Sequence, residues 1–444
     1  MPRRTFHIIS LGCAKNTVDS DSMAQLLIHD GYKSIEKPGR ADIIIVNTCG
    51  FIAPAKEESF SALRGLAAKK RSDQLLIAAG CLTQRYGAEV ARQVPGIDGL
   101  LGTRRWMDIA QLVDRLLEKS GPRPLHYLPN NKPIGTDERG AIRASVFGAS
   151  AYLKIADGCR RPCAFCAIPL IKGPAVSRPM HTILKEASIL RDRGVRELVL
   201  IAQNTTDYGH DLGMKDGLAD LLENLTDAVP DMDWIRIMYT YPGNISDRLI
   251  EAMVSSKQIL PYLDLPLQHA DPRTLKRMKR PSNTDGVRKT IAKLRAAMPN
   301  LALRTTFLVG YPGETDEEFQ TLLDFIQEMR FERMGAFKFS FEKGTPSEAL
   351  GDPIPDRLKD KRLNRLMSLQ QKISLQINGA FVGKTLDVIV EGSNNGLTVG
   401  RSYRDALEID GLVLAQGQAD IGQIVQVKID SAMPYDLSGA LIKK

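Results

Sequence analysis

Short apolar runs alternate with helical patterns over roughly the first 120 residues of the chain. Three of these runs are rich in aliphatic residues: FHIIS (6–10), DIIIVN (42–47) and QLLIAAG (74–80). Such runs are typical of strands buried in a parallel sheet. One helical pattern begins at Asp19 and Ser20, which are good N-cap residues, and another covers roughly 55–70. The alternation predicts an α/β fold with an N-terminal doubly wound parallel sheet.

A second alternation runs from residue 151 to residue 341. It contains six strand candidates: AYLKIA (151–156), ELVLIA (197–202), DWIRIMY (233–239), YLDLPL (262–267), LALRTTFLV (301–309) and GAFKFSF (335–341). Helical patterns separate them, including one at 315–329 that Thr315 opens. Six such units predict a central partial TIM-like (βα)6 barrel that lacks two units. Its open side suits a macromolecular substrate.

The chain changes character on either side of this barrel. Residues 120–148 are rich in Pro, Gly, Asn and charge, and are predicted to form a linker. The polar, basic segment 355–374 is interpreted as a solvated connecting helix, with an RNA contact as the alternative. From residue 380 short strands and turns predict a small C-terminal antiparallel β-barrel. The predicted domains are therefore 1–125, 145–374 and 376–444.

Charge is unevenly distributed along the 444 residues. The whole chain carries a formal net charge of +8, which fits a nucleic-acid or ribosome-associated role. Residues 376–444, with six basic and eight acidic residues, carry −2. The sequence contains no apolar run long enough to span a membrane and no signal-peptide core, so a cytoplasmic protein without a membrane partner is expected.

Three of the six cysteines lie close together in DGCRRPCAFCAIP (157–169). Cys159, Cys163 and Cys166 form the pattern C-x-x-x-C-x-x-C immediately after the first predicted barrel strand, where barrel enzymes place their chemistry. Three thiolates on one loop can bind three irons of a 4Fe–4S cluster, which leaves the fourth iron open. The alternative is a structural zinc site with His181 as its fourth ligand.

The other three cysteines each end one of the early strands, in IISLGC, IIIVNTC and LIAAGC. Cys13, Cys49 and Cys81 are therefore expected to meet at the carboxyl edge of the parallel sheet and to bind a second 4Fe–4S cluster. Three flanking glycines are expected to permit close approach to a bulky cofactor: Gly12, Gly50 and Gly80. The alternative is three buried core cysteines.

These stretches together resemble a known family. The C-x-x-x-C-x-x-C loop, with Phe165 before its last cysteine, is similar to the loop of radical S-adenosylmethionine (SAM) enzymes. The stretches LGC (11–13), NTC (47–49), GC (80–81) and YPGETDEEF (311–319) resemble the methylthiotransferases. The resemblance covers nearly the whole chain and implies a methylthiotransferase domain, a radical SAM core and a TRAM barrel.

The resemblance implies a division of labour between the two triads. The cluster of Cys159, Cys163 and Cys166 would bind SAM and cleave it to a 5′-deoxyadenosyl radical. The cluster of Cys13, Cys49 and Cys81 would hold the sulfur that is methylated by a second SAM and then transferred. An electron donor such as flavodoxin or ferredoxin is implied as a partner.

Within this family, SLGCAKNTVDS (10–20) resembles the branch that modifies a ribosomal protein, the RimO type, especially at Lys15 and Asn16. Ala14 stands where that branch usually has proline. VGRSYRDALEIDG (399–411) and YDLSG (435–439) resemble the same branch. The implied product is a methylthio group at the β-carbon of an aspartate in a small-subunit ribosomal protein of the S-twelve family. The alternatives are a tRNA adenosine methylthiotransferase and a metal-stabilised RNA-binding protein without catalysis.

Further residues are candidates for the SAM pocket or for structural roles. Phe165 and Gln203, with Gly310 and Gly313 of LVGYPGET, are predicted to line the SAM pocket, with ordinary turn chemistry as the alternative. His269, which ends another barrel strand, is interpreted as structural.

The acidic residues of the C-terminal barrel suggest a docking surface. Six of them fall in or beside predicted strands and turns: Asp387, Glu391, Asp405, Glu408, Asp410 and Asp420. An acidic face would attract a basic ribosomal protein, with an ordinary solvated surface as the alternative.

Overall fold

The computed structural model describes residues 4–118, 121, 123–128 and 140–442. Residues 120, 122 and 129–139 of the predicted linker at 120–148 lie outside the described residues, as do Lys443 and Lys444. The described part of the chain forms a parallel sheet, a half-barrel, a long helix and a small closed barrel. None of its helices is both long and apolar enough to cross a membrane.

The N-terminal sheet has six parallel strands, and the three predicted runs form its centre. In spatial order the strands are Lys33–Ser34, Thr5–Ser10, Ile43–Thr48, Leu75–Gly80, Gly99–Gly102 and Leu125–Tyr127. The other three strands were not predicted, because two to four residues are too few to show a period. Helices Ala14–His29 and Ile109–Leu117 pack on one face, and Ala53–Ala67 and Cys81–Gln93 on the other. The doubly wound prediction is therefore confirmed.

The first helix begins five residues before its predicted start. Cys13 is its N-cap, and Asp19 and Ser20 lie inside the helix, where both are buried. The prediction that they cap the helix is wrong, because the Asp19 carboxylate forms ion pairs with Lys154 and Lys172 of the half-barrel instead. Capping residue types also serve as buried partners of distant charges, and local sequence does not separate the two uses.

The central domain contains six parallel strands whose spatial order follows the chain. They are Ser150–Lys154, Glu197–Ile201, Trp234–Ile237, Ile259–Asp264, Ala302–Val309 and Arg333–Lys338. The sheet stays open, as predicted, and an additional antiparallel strand, Ala144–Phe147, pairs with the first. The fourth strand begins three residues earlier than predicted. It ends at Asp264, because Pro266 has no N–H to continue the ladder.

Helices alternate with the strands of this half-barrel. They are Ile168–Lys172, Met180–Asp192, Gly217–Ala228, Asp247–Ser255, Pro272–Arg277, Thr284–Ala297 and Asp316–Met329. The last one begins with a capping box formed by Thr315 and Glu318, as the sequence predicted for Thr315. Short 3₁₀ turns occur at Pro38–Arg40, Thr103–Asp108, Thr205–Asp207, His210–Leu212 and Glu348–Leu350, and a two-residue pair joins Ala156–Asp157 to Val176–Ser177.

The basic segment forms the 24-residue helix Asp356–Gly379. One of its faces is not solvated: Leu366 and Ile373 belong to the core of the half-barrel. On the same buried face, Arg362 forms an ion pair with Glu314 at 2.8 Å. The prediction of a simply solvated connector is therefore wrong for this face.

The C-terminal domain is a closed barrel of five strands, Thr385–Asn394, Leu397–Ser402, Val413–Gln416, Ile424–Ala432 and Leu437–Leu441. The barrel itself was predicted, but its fifth strand was not. The run ALEIDGLVLA (406–415), predicted as one strand, is a loop over its first half. Only Val413–Gln416 pairs with neighbouring strands. That strand pairs in parallel with Leu437–Leu441, so the barrel is not wholly antiparallel.

A loop of the small barrel covers the inner face of the half-barrel. Ala406 and Leu407 share an apolar cluster with Tyr152, Val199 and Trp234. The Tyr152 hydroxyl donates a hydrogen bond to the Leu407 carbonyl at 3.1 Å.

Buried charges strengthen this contact. Glu197 forms ion pairs with Arg236 at 2.7 Å and with Arg401 of the small barrel at 2.6 Å. Burial alone would raise the pKa of Glu197, and the two guanidinium groups outweigh it and lower the pKa to about 2. The small barrel is thus bonded to the interior of the half-barrel.

The predicted acidic docking face is wrong at its centre. Asp405 is 1% exposed and forms an ion pair with Arg333. Asp410 accepts a hydrogen bond from the Tyr262 hydroxyl at 2.6 Å and forms an ion pair with Arg304 at 3.3 Å. These acids neutralise arginines on the inner face of the half-barrel rather than facing a partner.

The other four acids lie nearer the surface. The Glu391 carboxylate forms an ion pair with Arg401, and Glu408 accepts a hydrogen bond from Tyr152. Asp387 and Asp420 are exposed.

This contact predicts a large stability difference between two Asp→Asn changes in the same barrel. We expect Asp405→Asn to lower the free energy of unfolding by about 3–5 kcal/mol, because it leaves the Arg333 guanidinium buried without its counter-charge. Asp387→Asn, at an exposed position, is the matched control and should change it by less than about 0.5 kcal/mol. Urea unfolding followed by tryptophan fluorescence, to which Trp234 contributes, measures both. Equal losses would contradict the buried role of Asp405.

Candidate active site

All six cysteines line one cavity of about 330 Å³, to which both the N-terminal sheet and the half-barrel contribute. All six are free thiols. They arrive as the two triads that the sequence indicated, one from each domain. The structure therefore brings together two groups of residues that lie up to 153 positions apart in the chain.

The first triad follows three neighbouring strands of the N-terminal sheet. Cys13 is the N-cap of the helix after Thr5–Ser10, and Cys49 follows Ile43–Thr48 directly. Cys81 is the first residue of the helix after Leu75–Gly80. Strand order reverses between the first two of these strands, and open α/β sheets bind ligands at such a point. Helix N-termini also favour thiolates over thiols.

The glycines beside these cysteines have a packing role that the sequence did not predict. A Cβ atom on Gly12 would lie 2.7 Å from the Cβ of Cys49, and one on Gly50 would lie 2.6 Å from the Cα of Leu82. At Gly80, with φ of 99°, a Cβ would overlap the side chain of Asn47 and the backbone of Thr48. The glycines thus let the strand-end loops approach one another, and their close approach to a cofactor stays a prediction.

The second triad lies on the loop between Ala156–Asp157 and the helix Ile168–Lys172. Backbone hydrogen bonds fix the loop: Cys159 N–H donates to Gly173 O at 3.1 Å, and Ala164 N–H donates to Met278 O at 2.8 Å. Arg280 Nη1 lies 3.6 Å from the Cys163 sulfur and donates to it. These bonds fix the positions of the three thiols on the loop.

Burial opposes ionisation of the thiols. It raises the pKa of Cys81 and of Cys166 to about 12, and it also raises the pKa of Cys49 and of Cys159. A bound metal ion reverses this effect, because a coordinated thiol is deprotonated outright. Buried thiols in two groups of three, in a cavity with room between them, fit the binding of iron–sulfur clusters.

The zinc alternative does not fit the same geometry. His181 is exposed on the helix Met180–Asp192 and is not among the residues that line the cavity. Within the described ranges, no group of three or more His, Cys, Asp and Glu side chains is placed to share a single metal ion. A zinc site needs four ligands around one ion, whereas each thiolate of a 4Fe–4S cluster binds an iron of its own.

Two of the four predicted SAM-pocket residues line the cavity. Phe165 and Gln203 are there, and Gln203 Oε1 is buried without a hydrogen-bond partner. Gly310 and Gly313 are not among the lining residues, and the side chain of Lys359 lies against Gly310. A contact between these glycines and SAM stays a prediction.

His269, interpreted as structural, is buried. Its Nδ1 accepts a hydrogen bond from the Asp271 N–H at 3.0 Å, and its side chain does not line the cavity.

Sequence reasoning missed several cavity residues. Tyr241 lies between two guanidinium groups, those of Arg161 at 4.5 Å and Arg280 at 4.3 Å from its ring centre. Lys15 was noted only as part of a motif, and its ammonium nitrogen lies 2.7 Å from the ring centre of Tyr239. Burial lowers the pKa of Lys15 to about 7. The strand-end position of Tyr239 and Tyr241 was the available signal.

A buried ionic network lies behind the cavity and was also missed. The Asp19 carboxylate bonds Lys154 at 2.6 Å and Lys172 at 2.7 Å, and Arg143 contacts it too. Asp157, two residues before Cys159, bonds Lys154 at 2.7 Å. Burial would raise the pKa of Asp19, but the charges of Lys154 and Lys172 hold it well below its usual range. The network joins the first helix to the loop that carries the second triad.

Three regions of the chain match known family models. Residues 5–102 match the Uncharacterized protein family UPF0004, residues 153–326 the Radical SAM superfamily, and residues 382–442 the TRAM domain. These regions coincide with the N-terminal sheet, the half-barrel and the small closed barrel.

Solved structures with the same fold include two radical SAM enzymes. The methyltransferase TsrM from Kitasatospora setae, described with cobalamin and a [4Fe-4S] cluster bound, matches with a TM-score of 0.56 and 13% identity, covering 89% of this chain and 80% of that one. The cobalamin-dependent enzyme OxsB, described with S-adenosylmethionine bound, matches with a TM-score of 0.52 and 12% identity, covering 83% and 56%. At such identities the likeness concerns the fold alone.

Curated relatives match over almost their full length. The ribosomal protein uS12 methylthiotransferase RimO of Roseiflexus sp. (strain RS-1) is 47% identical over 99% of this chain and 97% of the relative. The protein of the same name from Chloroflexus aurantiacus is 47% identical over 98% and 99%. That from Thermoanaerobacter sp. (strain X514) is 42% identical over 97% and 98%. The chain therefore belongs to the family of RimO ribosomal protein uS12 methylthiotransferases.

Proposed function

We propose that this chain is a radical SAM methylthiotransferase that inserts a methylthio group at the β-carbon of an aspartate in ribosomal protein uS12. The observation that carries the proposal is the convergence of two cysteine triads on one cavity. Curated relatives named for the uS12 reaction support the substrate. The tRNA adenosine alternative is not favoured, since the relatives described above all carry the uS12 name.

Each triad is proposed to hold one 4Fe–4S cluster. Cys159, Cys163 and Cys166 would hold the SAM-binding cluster, and Cys13, Cys49 and Cys81 would hold the other. Three thiolates leave one iron of each cluster open for a ligand. When bound, the two clusters supply the electron that cleaves SAM to a 5′-deoxyadenosyl radical and the sulfur that is transferred.

The residues of this chain orient the reactants and keep water away. Phe165 packs against a buried apolar cluster that includes Met278, Tyr311 and Phe339, and so forms a dry wall of the cavity. The unpaired oxygen of Gln203 offers an acceptor to SAM. The Arg280 guanidinium donates a hydrogen bond to the Cys163 sulfur and so fixes the position of that sulfur in the cavity.

The open edge of the half-barrel suits a protein substrate. The strand Arg333–Lys338 ends the sheet, and Phe337, on this strand, is 54% exposed. In the proposed reaction one C–H bond of the aspartate β-carbon is replaced by a C–S bond. The hydrogen leaves with 5′-deoxyadenosine, and a second SAM supplies the methyl group. We propose a low-potential donor such as flavodoxin or ferredoxin as the source of electrons.

The proposed domains are 1–125, 145–374 and 376–444. The strand Leu125–Tyr127 belongs to the N-terminal sheet, which supports a boundary close to the first of these limits. A substrate in the small ribosomal subunit supports a cytoplasmic location.

The substrate is tested in a strain that lacks this protein. We expect mass spectrometry of its small ribosomal subunit to show uS12 without the methylthio group on the target aspartate. The wild-type chain should restore the group, and Cys163→Ala should not. Loss of a modified adenosine from tRNA with uS12 unchanged would instead favour the tRNA alternative.

Iron content tests the assignment of the triads. Anaerobically reconstituted wild-type protein should contain about eight irons and eight sulfides per chain, and Cys49→Ala or Cys163→Ala about half of each. His181→Ala is the control for the zinc alternative and should leave both numbers unchanged. Stoichiometric zinc that disappears with His181→Ala would refute the cluster assignment.

The division of labour predicts different products from two cysteine variants. Cys163→Ala should form neither 5′-deoxyadenosine nor methylthiolated uS12. Cys49→Ala should still form 5′-deoxyadenosine but no methylthio product, because the two triads belong to different domains. Liquid chromatography of the reaction mixture measures both products. Loss of SAM cleavage in folded Cys49→Ala that keeps its barrel cluster would show that the division is wrong.

A further inference from the structure

The ammonium group of Lys15 is buried in the cavity and forms no direct ion pair, although the more distant charge of Asp264 acts on it. Lys15 is 8% exposed, and its side chain forms no ion pair or hydrogen bond with any described residue. It lies instead over the ring of Tyr239. An unpaired buried cation is costly, so this position fits a site that an anion completes.

The other cations that line the cavity already have partners. Lys172 bonds Asp19, and Arg161 forms an ion pair with Asp207. Arg280 donates to the Pro266 carbonyl and to the Cys163 sulfur. Lys15 therefore differs from the rest in having its charge available to a ligand.

Lys15 also lies in the first turn of the helix Ala14–His29. The N-terminal end of a helix carries partial positive charge and unpaired N–H groups, which favour an anion there. Its neighbour Asn16 does not share this availability. The Asn16 amide donates to the Leu11 carbonyl at 2.7 Å and to two further backbone carbonyls. It therefore stabilises the backbone around the triad and is not free to bind a ligand.

The tyrosine whose ring lies beneath Lys15 has a strained backbone conformation. Tyr239 has φ of 60°, in the left-handed region that non-glycine residues seldom adopt. Its N–H donates to Asp264 at 3.0 Å, its carbonyl accepts from Thr205 N–H at 3.0 Å, and Arg304 bonds Asp264 from behind. Backbone strain of this kind persists where the surroundings over-determine it, and it is concentrated at ligand sites.

We propose that Lys15 binds the side-chain carboxylate of the substrate aspartate and so holds its β-carbon in the cavity that both triads line. The inference rests on the proposed function and names the recognition element within it. The β-carbon is one bond from the carboxyl carbon, so a salt bridge to Lys15 restricts it to this space. SAM also carries a carboxylate, but Lys15 belongs to the domain of the Cys13 triad and not to the loop with which SAM is proposed to react.

The test compares binding of two forms of uS12 to the reconstituted holoenzyme. One form has the target aspartate, and the other has asparagine in its place. Wild-type enzyme should bind the aspartate form roughly 10- to 100-fold more tightly, as expected for a charge-assisted hydrogen bond. Lys15→Met should bind both forms equally, and Lys15→Arg should recover part of the difference. Fluorescence anisotropy of labelled uS12 gives the dissociation constants.

A matched control uses another lysine that lies over a tyrosine. Lys56 lies 4.0 Å from the ring centre of Tyr86, outside the cavity, and Lys56→Met should keep the wild-type ratio. Lys56→Met should also form 5′-deoxyadenosine without uS12 at the wild-type level. If Lys15→Met does not fold, Lys15→Gln takes its place in the comparison.

Several outcomes would overturn the inference. Lys15 does not bind the carboxylate if wild-type enzyme binds the two forms of uS12 equally. The same follows if Lys15→Met keeps the wild-type ratio of the two dissociation constants. Weaker SAM binding and cleavage in Lys15→Met assigns the lysine to the carboxylate of SAM. A shifted potential of the N-terminal cluster with an unchanged ratio assigns it to charge compensation. These results differ from failure of the proposed function, in which wild-type enzyme leaves uS12 unmodified.

Discussion

The carboxylate of Asp19 is the link that places the two cysteine triads on one cavity. Its helix begins at Cys13, and its partners Lys154 and Lys172 flank the loop of Cys159 to Cys166. Because all of these groups are buried, each charge needs the others, and breaking a buried pair typically costs about 3–5 kcal/mol. This ionic contact helps to fix the relative position of the two domains, and with it the distance between the triads.

The same network leaves excess positive charge beside the cavity. Asp19 and Asp157 face three cations, those of Arg143, Lys154 and Lys172. Buried thiols resist ionisation, and nearby positive charge is what offsets that resistance. The chain thus combines two functions in one cluster of side chains: it joins the domains, and through Lys172 it supplies positive charge beside the Cys81 thiol.

The sequence predicted where the strands of the N-terminal sheet lie, but it did not predict which charged side chains are buried. Cys13, Cys49 and Cys81 each follow an apolar run, and parallel strands share a carboxyl edge, so their meeting follows from periodicity alone. Asp405 and Asp387 look alike in a charge count, yet one is buried against Arg333 and the other is exposed.

Long-range contacts explain the other differences between prediction and structure. Asp19 was interpreted as a cap because its partners are more than 130 residues away. Lys15 was recognised as a motif residue. Its contact with Tyr239 was not predicted, because that tyrosine lies at a strand end some 224 positions later in the chain. Periodicity and spacing describe neighbours along the chain, and these roles are decided by neighbours in space.

The loop that covers the inner face of the half-barrel also affects how the protein is made. Tyr152 finds its partner Leu407 only 255 residues later in the chain. At synthesis rates of about 5–20 residues per second, the aromatic inner face stays uncovered for roughly ten to fifty seconds after Tyr152 is added. Transiently exposed apolar surface of this kind is prone to aggregation. We therefore expect the nascent half-barrel to be prone to aggregation until the last domain covers this face.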